Sequence, residues 1–210
     1  MGIPVLILGE TGSGKTFSIK NFDVNEVGIF SVEKGRLPFR DKGFKIVKNA
    51  TYAHIMRTFQ DPKLKKYVID DSQYLLVHEL FNRVNETGYK KYTDMAVNFR
   101  NLIYMINHQL PEDVIVYFLH HVETNKETGK AKAKTVGQMI DQYLTLEGCF
   151  DIVLYAGVDS NGHYFVTQSD GTNTAKSPEE MFEVKINNDL KFVDETIRDY
   201  WNLKGEENND

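Results

Sequence analysis

Eight residues near the start of the chain, Gly9-Glu10-Thr11-Gly12-Ser13-Gly14-Lys15-Thr16, fit the spacing G-x-x-x-x-G-K-[ST] and constrain this sequence more than any other feature. An apolar run, residues 3–8, precedes them, and a helical pattern from Lys15 to Asn21 follows. The three glycines let the loop curl so that its backbone N–H groups face inward as a cradle for phosphate oxygens. The helix that follows points unpaired donors and a partial positive charge at the same place. In such a loop the lysine, Lys15, reaches the β- and γ-phosphates, and the hydroxyl of Thr16 coordinates Mg²⁺. The expected ligands are therefore ATP and Mg²⁺.

The length of 210 residues suits one domain, expected over 1–204, with a short acidic disordered tail over 205–210. No apolar stretch approaches the ~20 residues that span a bilayer, and the apolar N-terminus runs straight into the phosphate loop rather than to a cleavage site. With a single cysteine, Cys149, no internal disulfide can form, which agrees with a reducing cytoplasm. The net charge of −5 speaks against a surface built to coat duplex DNA. One local exception is basic: Lys126, Lys130, Lys132 and Lys134 stand against the single Glu127.

Strand-like runs recur at 3–8, 27–32, 44–47, 66–69, 114–119 and 151–157, separated by helical patterns. They are continuous rather than alternating, as in strands buried on both faces of a mostly parallel sheet. Thr51 predicts an N-cap for a helix to about Gln60, and Ser72 a cap for a second to about Val84. Met95, Phe99, Leu102, Ile103 and Ile106 share one face of a third, which ends before Pro111. Residues 151–158 and 163–168 flank Asp159-Ser160-Asn161-Gly162, a hairpin signal. A closing helix is expected over 189–203. The result is an α/β fold with an antiparallel hairpin appended to a mostly parallel sheet.

The phosphate loop needs a carboxylate for the metal, expected on an adjacent strand. Lys66-Tyr67-Val68-Ile69-Asp70-Asp71 supplies it in the Walker B form, with either Asp70 or Asp71 acting on Mg²⁺ and the other free to polarise the attacking water. Strand 114–119 ends in His120-His121. Adjacent side chains on a strand face opposite ways, so at most one faces the site, as a sensor of the γ-phosphate. Glu33, after strand 27–32, is either a solvated loop acid or the general base.

These features in this order resemble the RecA-like ATPase core, and most of all the small phage-encoded recombination ATPases of the Sak-four family. The resemblance runs from residue 1 to about 185. It is carried by the phosphate loop, Val32-Glu33 with Leu37-Pro38-Phe39, Val68-Ile69-Asp70-Asp71-Ser72, Tyr117-Phe118-Leu119-His120-His121, and the hairpin followed by Thr174-Ala175-Lys176-Ser177-Pro178. It implies that Glu33 activates water, that His121 is the sensor, and that the loop at about 123–138 contacts single-stranded DNA. It further implies that Lys176 reaches the ATP of a neighbouring subunit in a homo-oligomer. A single-strand-binding protein is an implied partner, and the host cytoplasm the implied location. The expected function is an Mg²⁺-dependent ATPase assisting phage DNA recombination, annealing or replication. Two alternatives remain open: a nucleotide-dependent regulator or loader without DNA activity of its own, and a small-molecule kinase. The kinase is disfavoured because no arginine-rich lid is present.

Overall fold

The computed structural model describes residues 1–33 and 35–203; the acidic tail expected at 205–210 lies outside them. The strands are β1 (Ile3–Gly9), β2 (Val27–Ser31), β3 (Lys45–Lys48), β4 (Lys66–Asp70), β5 (Ile115–Thr124), β6 (Ala131–Ala133), β7 (Ile152–Asp159), β8 (Gly162–Val166) and β9 (Lys185–Asn187). The α-helices are α1 (Tyr52–Phe59), α2 (Tyr74–Asn82), α3 (Lys90–Gln109), α4 (Gln138–Asp141) and α5 (Leu190–Tyr200). The sheet order is β3-β2-β4-β5-β1-β7-β8-β9, with β6 paired to the far end of β5. Pairing is parallel from β3 to β7 and antiparallel for β7–β8, β8–β9 and β5–β6.

Alternate residues of the central strands feed two cores. Leu6, Leu8, Val116 and Phe118 face a layer that includes Phe99, Leu102 and Ile106 of α3 and Ile55 and Phe59 of α1. Val5, Ile7, Tyr117 and Leu119 face Ile19, Phe22 and the apolar side of α5. Each large side chain so buried stabilises the fold by roughly 1.5–3 kcal/mol. Helix α5 is also held by a buried polar contact: the Tyr117 hydroxyl donates to Asp194 Oδ1 at 3.0 Å, and Arg198 Nε to Asp194 Oδ2 at 2.7 Å.

Several local expectations hold. Thr51 caps α1, its hydroxyl accepting from the His54 N–H while the His54 ring accepts from the Thr51 N–H. The β7–β8 hairpin turns at Ser160-Asn161, with Asp159 Oδ1 accepting from the Asn161 N–H at 2.7 Å.

Others are corrected. Strand β4, expected to carry the carboxylate for the metal, is not adjacent to β1, because β5 lies between them. Residues 115–119 of β5 are wholly buried and need a neighbour on each side, so that strand takes the middle of the sheet. Ser72 does not cap α2; its hydroxyl proton is shared between the Leu119 carbonyl at 3.1 Å and His120 Nδ1 at 2.9 Å instead. The segment after the phosphate loop is a short 3₁₀ turn, Thr16–Asn21. The strands β6 and β9 are too short to show a periodicity. Among the described residues no helix is long and apolar enough to cross a membrane.

Candidate nucleotide site

Parallel strands end on one edge of the sheet, and the chemistry gathers there. Gly9, the last residue of β1, is in register with His121 of β5, and Ser31 of β2 with Asp70 of β4. Gly14 has a φ of 92°, and a Cβ there would come within 2.7 Å of the His163 ring. A side chain at that position would be both strained and obstructed. Gly12, with φ 85°, faces open space, so the inner surface of the loop is bare backbone.

Lys15 is buried, and its Nζ donates to the carbonyls of Gly9 at 2.7 Å and Glu10 at 2.9 Å. The ammonium thus lies across the loop's mouth, where a phosphate oxygen would compete for it. The Thr16 hydroxyl donates to Asp70 Oδ1 at 2.8 Å. Burial, then the neighbouring Asp71 charge, pushes Asp70 up to about 6 from an ordinary 3.8. The site thus holds a buried carboxylate with a second carboxylate beside it. Its hard oxygen donors, Asp70 and Thr16, suit Mg²⁺. Ser13 Oγ is also buried in the loop without a hydrogen-bond partner.

Asp71 adopts a left-handed φ of 58°, which turns its carboxylate to His121, whose Nε2 donates to Oδ1 at 3.1 Å. The two histidines face opposite sides, as strand geometry requires. His121 lines the cleft, while His120 is fully buried. His120 Nε2 lies 2.8 Å from the Lys134 carbonyl, which only accepts, so Nδ1 receives the Ser72 hydroxyl at 2.9 Å. Burial pushes His120 down to about 3, so it is neutral.

Together Thr11, Gly12, Gly14, Lys15, Thr16, Asp70, Asp71 and His121 line a cleft of about 390 Å³, within the range of small-molecule sites. Its remaining walls are residues the sequence reading missed: Phe17, Arg36, Pro38 and His163. Phe17 comes in with the turn that follows the phosphate loop, whereas Arg36 and Pro38 are brought in by the segment after β2 and His163 by the distant β8. A wider concavity of about 560 Å³ lies against β8 and β9, without any phosphate-loop residue.

Not every expected residue joins the cleft. Glu33 follows β2 outside the lining, its carboxylate 3.0 Å from His78 Nε2 of α2. Lys176 bridges Val153 in both directions at 2.8 Å, near the start of β7 and away from the end that holds the loop. The basic segment, expected as a loop, carries a short hairpin: Val122, Glu123 and Thr124 pair with Ala133, Lys132 and Ala131. Buried Ala131 and Ala133 pin one face of it. Lys132 is bound to Glu123 at 3.0 Å and Asp141 at 2.8 Å, whereas Lys126, Lys130 and Lys134 are exposed.

Comparison with known proteins bears on the fold and the family. A solved structure described as a DnaB-like replicative helicase studied for its interactions with primase superposes with a TM-score of 0.52. It is 14% identical over 85% of this chain, which spans only 54% of that one, so the likeness concerns the RecA-like fold. No curated protein matches the sequence. The AAA domain family matches residues 1–178, from β1 through the loop that carries Lys176. The chain belongs to the AAA domain family of P-loop ATPases.

Proposed function

We propose that the chain is an Mg²⁺-dependent ATPase that binds single-stranded DNA and assists phage DNA recombination, annealing or replication, in the manner of the Sak-four family. The observation that carries the ATPase part is the Thr16–Asp70 hydrogen bond, which joins the phosphate loop to a carboxylate whose proton affinity is raised by burial and by Asp71. Thr16 and Asp70 would hold the metal, which neutralises charge on the phosphates when bound. Lys15 holds the β- and γ-phosphates, and His121 reports on the terminal one through Asp71. In hydrolysis a water oxygen bonds to the γ-phosphorus as its bond to the bridging oxygen breaks. The electron pair leaves with ADP, and Glu33 takes the water's proton. The resemblance assigns Glu33 this task; it lies outside the cleft lining and contacts His78, so the role requires that contact to give way. Asp71 is nearly buried and committed to His121.

The DNA-binding part rests on the resemblance and on one connection. Lys134 donates its N–H to the His121 carbonyl at 2.9 Å and offers its own carbonyl to His120. The basic hairpin is therefore built directly onto the sensor strand, and a shift at His121 would move Lys134. The helicase fold of the solved neighbour supports a homo-oligomer acting on nucleic acid. ATP turnover measured with and without single-stranded DNA tests the reading. Stimulation is expected; indifference to DNA would favour a nucleotide-dependent regulator or loader instead.

A further inference from the structure

We infer that Arg36, from the same chain, grips the terminal phosphate of ATP and gives the cleft its preference for triphosphate over diphosphate. This rests on the nucleotide-binding reading of the cleft.

The argument begins with the alternation that follows β2. Leu37 and Phe39 are partly buried against the core that holds Ile19 and Phe22, while Arg36 and Pro38 are exposed. Phe39 is clasped from two sides, its ring centroid 6.3 Å from Phe17 and 5.9 Å from Phe44, both edge-on. Anchoring Leu37 and Phe39 in that core leaves the exposed Arg36 and Pro38 on the side away from it. Here that side is the cleft, which Arg36 and Pro38 line together with Lys15, Thr16, Asp70 and Asp71. The position is thus fixed by packing.

Sheet order decides which end of the nucleotide Arg36 meets. The loop lies at the end of β1, with β5, β4 and β2 on one side and β7 and β8 on the other. The carboxylates of β4 and His121 of β5 mark the side of the terminal phosphate and its metal. Arg36 follows β2, the strand beyond β4, and so stands on that side. His163 of β8, packed on Phe17 at a centroid distance of 5.8 Å, marks the other.

The chemistry fits a phosphate. Arg36 makes no ion pair or hydrogen bond with another described residue, although two carboxylates line the same cleft. A guanidinium presents paired N–H donors that match two phosphoryl oxygens, and it stays charged at any working pH. Lys15 is the loop's own cation, and Lys176 sits too far down β7 to serve the same site in cis. A second cation in cis would act where charge spreads over the γ-phosphoryl oxygens.

Competition of ATP and of ADP against a fluorescent ADP analogue, with EDTA and with Mg²⁺, tests this at equilibrium. Arg36→Ala should bind ADP as the parent does and ATP about tenfold more weakly, the size of one charge-assisted contact. Arg36→Lys should recover part of the difference. Turnover should fall on the order of 10²-fold or more, and the ATP loss should be the same at dilute and concentrated protein, as a cis contact requires. Unchanged ATP and ADP affinities in Arg36→Ala would overturn the proposal. Should that variant lose ADP binding as well, Arg36→Gln, which keeps more of the side chain, replaces it, with the same two outcomes. Lys15→Ala separates the two readings. If it too binds both nucleotides normally, the nucleotide site itself is misassigned; if it fails to bind while Arg36→Ala is unaffected, only the role of Arg36 falls.

Discussion

The hydroxyl of Thr16 donates to Asp70 Oδ1 at 2.8 Å, joining the end of the phosphate loop that follows β1 to the last residue of β4, although β5 separates those strands. The bond satisfies one oxygen of a carboxylate that burial and Asp71 still hold at about 6. Because this folded value lies above the unfolded one, the folded state binds the extra proton between about pH 4 and 6. Asp70 therefore weakens the fold as pH rises through that window. Asp70→Asn should be more stable than the parent at pH 7 without metal, on the order of 1–3 kcal/mol, and equal to it near pH 4. Urea melts in EDTA across pH 4–7 check this; a stability gain independent of pH would contradict it.

His120 has the opposite sign. Its folded value of about 3 lies below the ordinary 6.5, so the unfolded chain takes up the proton and stability falls as pH drops below about 6.5. In the parent this slope and that of Asp70 oppose each other between pH 4 and 6. In Asp70→Asn that opposition is gone, and between about pH 5 and 6.5, above the range in which Glu86, Asp94 and the other carboxylates with lowered values titrate, stability should still rise with pH in the same melts. A flat profile in Asp70→Asn would mean that His120 is not held neutral.

Lys15→Ala removes the ammonium that closes the loop against the carbonyls of Gly9 and Glu10. Turnover at saturating ATP and Mg²⁺ should fall on the order of 10²-fold or more. Normal hydrolysis by this variant would defeat the assignment of the loop.

Glu33→Gln should bind ATP with parental affinity and hydrolyse it slowly, since the proton transfer contributes only in the transition state. Asp71→Asn should disturb the contact with His121 and lower turnover less. The reverse order in single-turnover assays would move the base to Asp71.

On the hairpin, joint replacement of Lys126, Lys130 and Lys134 by Gln should weaken single-stranded DNA binding and flatten its dependence on salt. Lys132→Gln should change that slope little, because Glu123 and Asp141 already neutralise the charge. Fluorescence anisotropy over a range of salt concentrations separates the two. For Lys176, mixing the inactive variants Lys15→Ala and Lys176→Ala should restore partial activity if the lysine acts on a neighbour's ATP. A mixture that stays inactive although mixed oligomers form would exclude that role.

The phosphate loop, the strands that continue it and the capped helix at Thr51 were legible in the sequence because their causes are local. Glycine torsions, side-chain periodicity and a hydroxyl three residues from the N–H it satisfies all act within a few residues of chain. Either Asp70 or Asp71 fitted Walker B, and only the fold separates them: the Thr16 hydroxyl reaches Asp70, and a left-handed turn gives Asp71 to His121. Other features were decided by tertiary structure alone. The central place of β5 follows from competition among strands for burial, which no single segment records. The pairing of Lys132 depends on Asp141 in another element, so a run of lysines read as uniformly available is not. Arg36, which follows β2, and His163 of β8 reach the cleft from opposite flanks of β1, brought together by packing between residues far apart in the chain. Sequence determines what each segment prefers, whereas the fold chooses which charges face one another, because that choice depends on burial shared by the whole sheet.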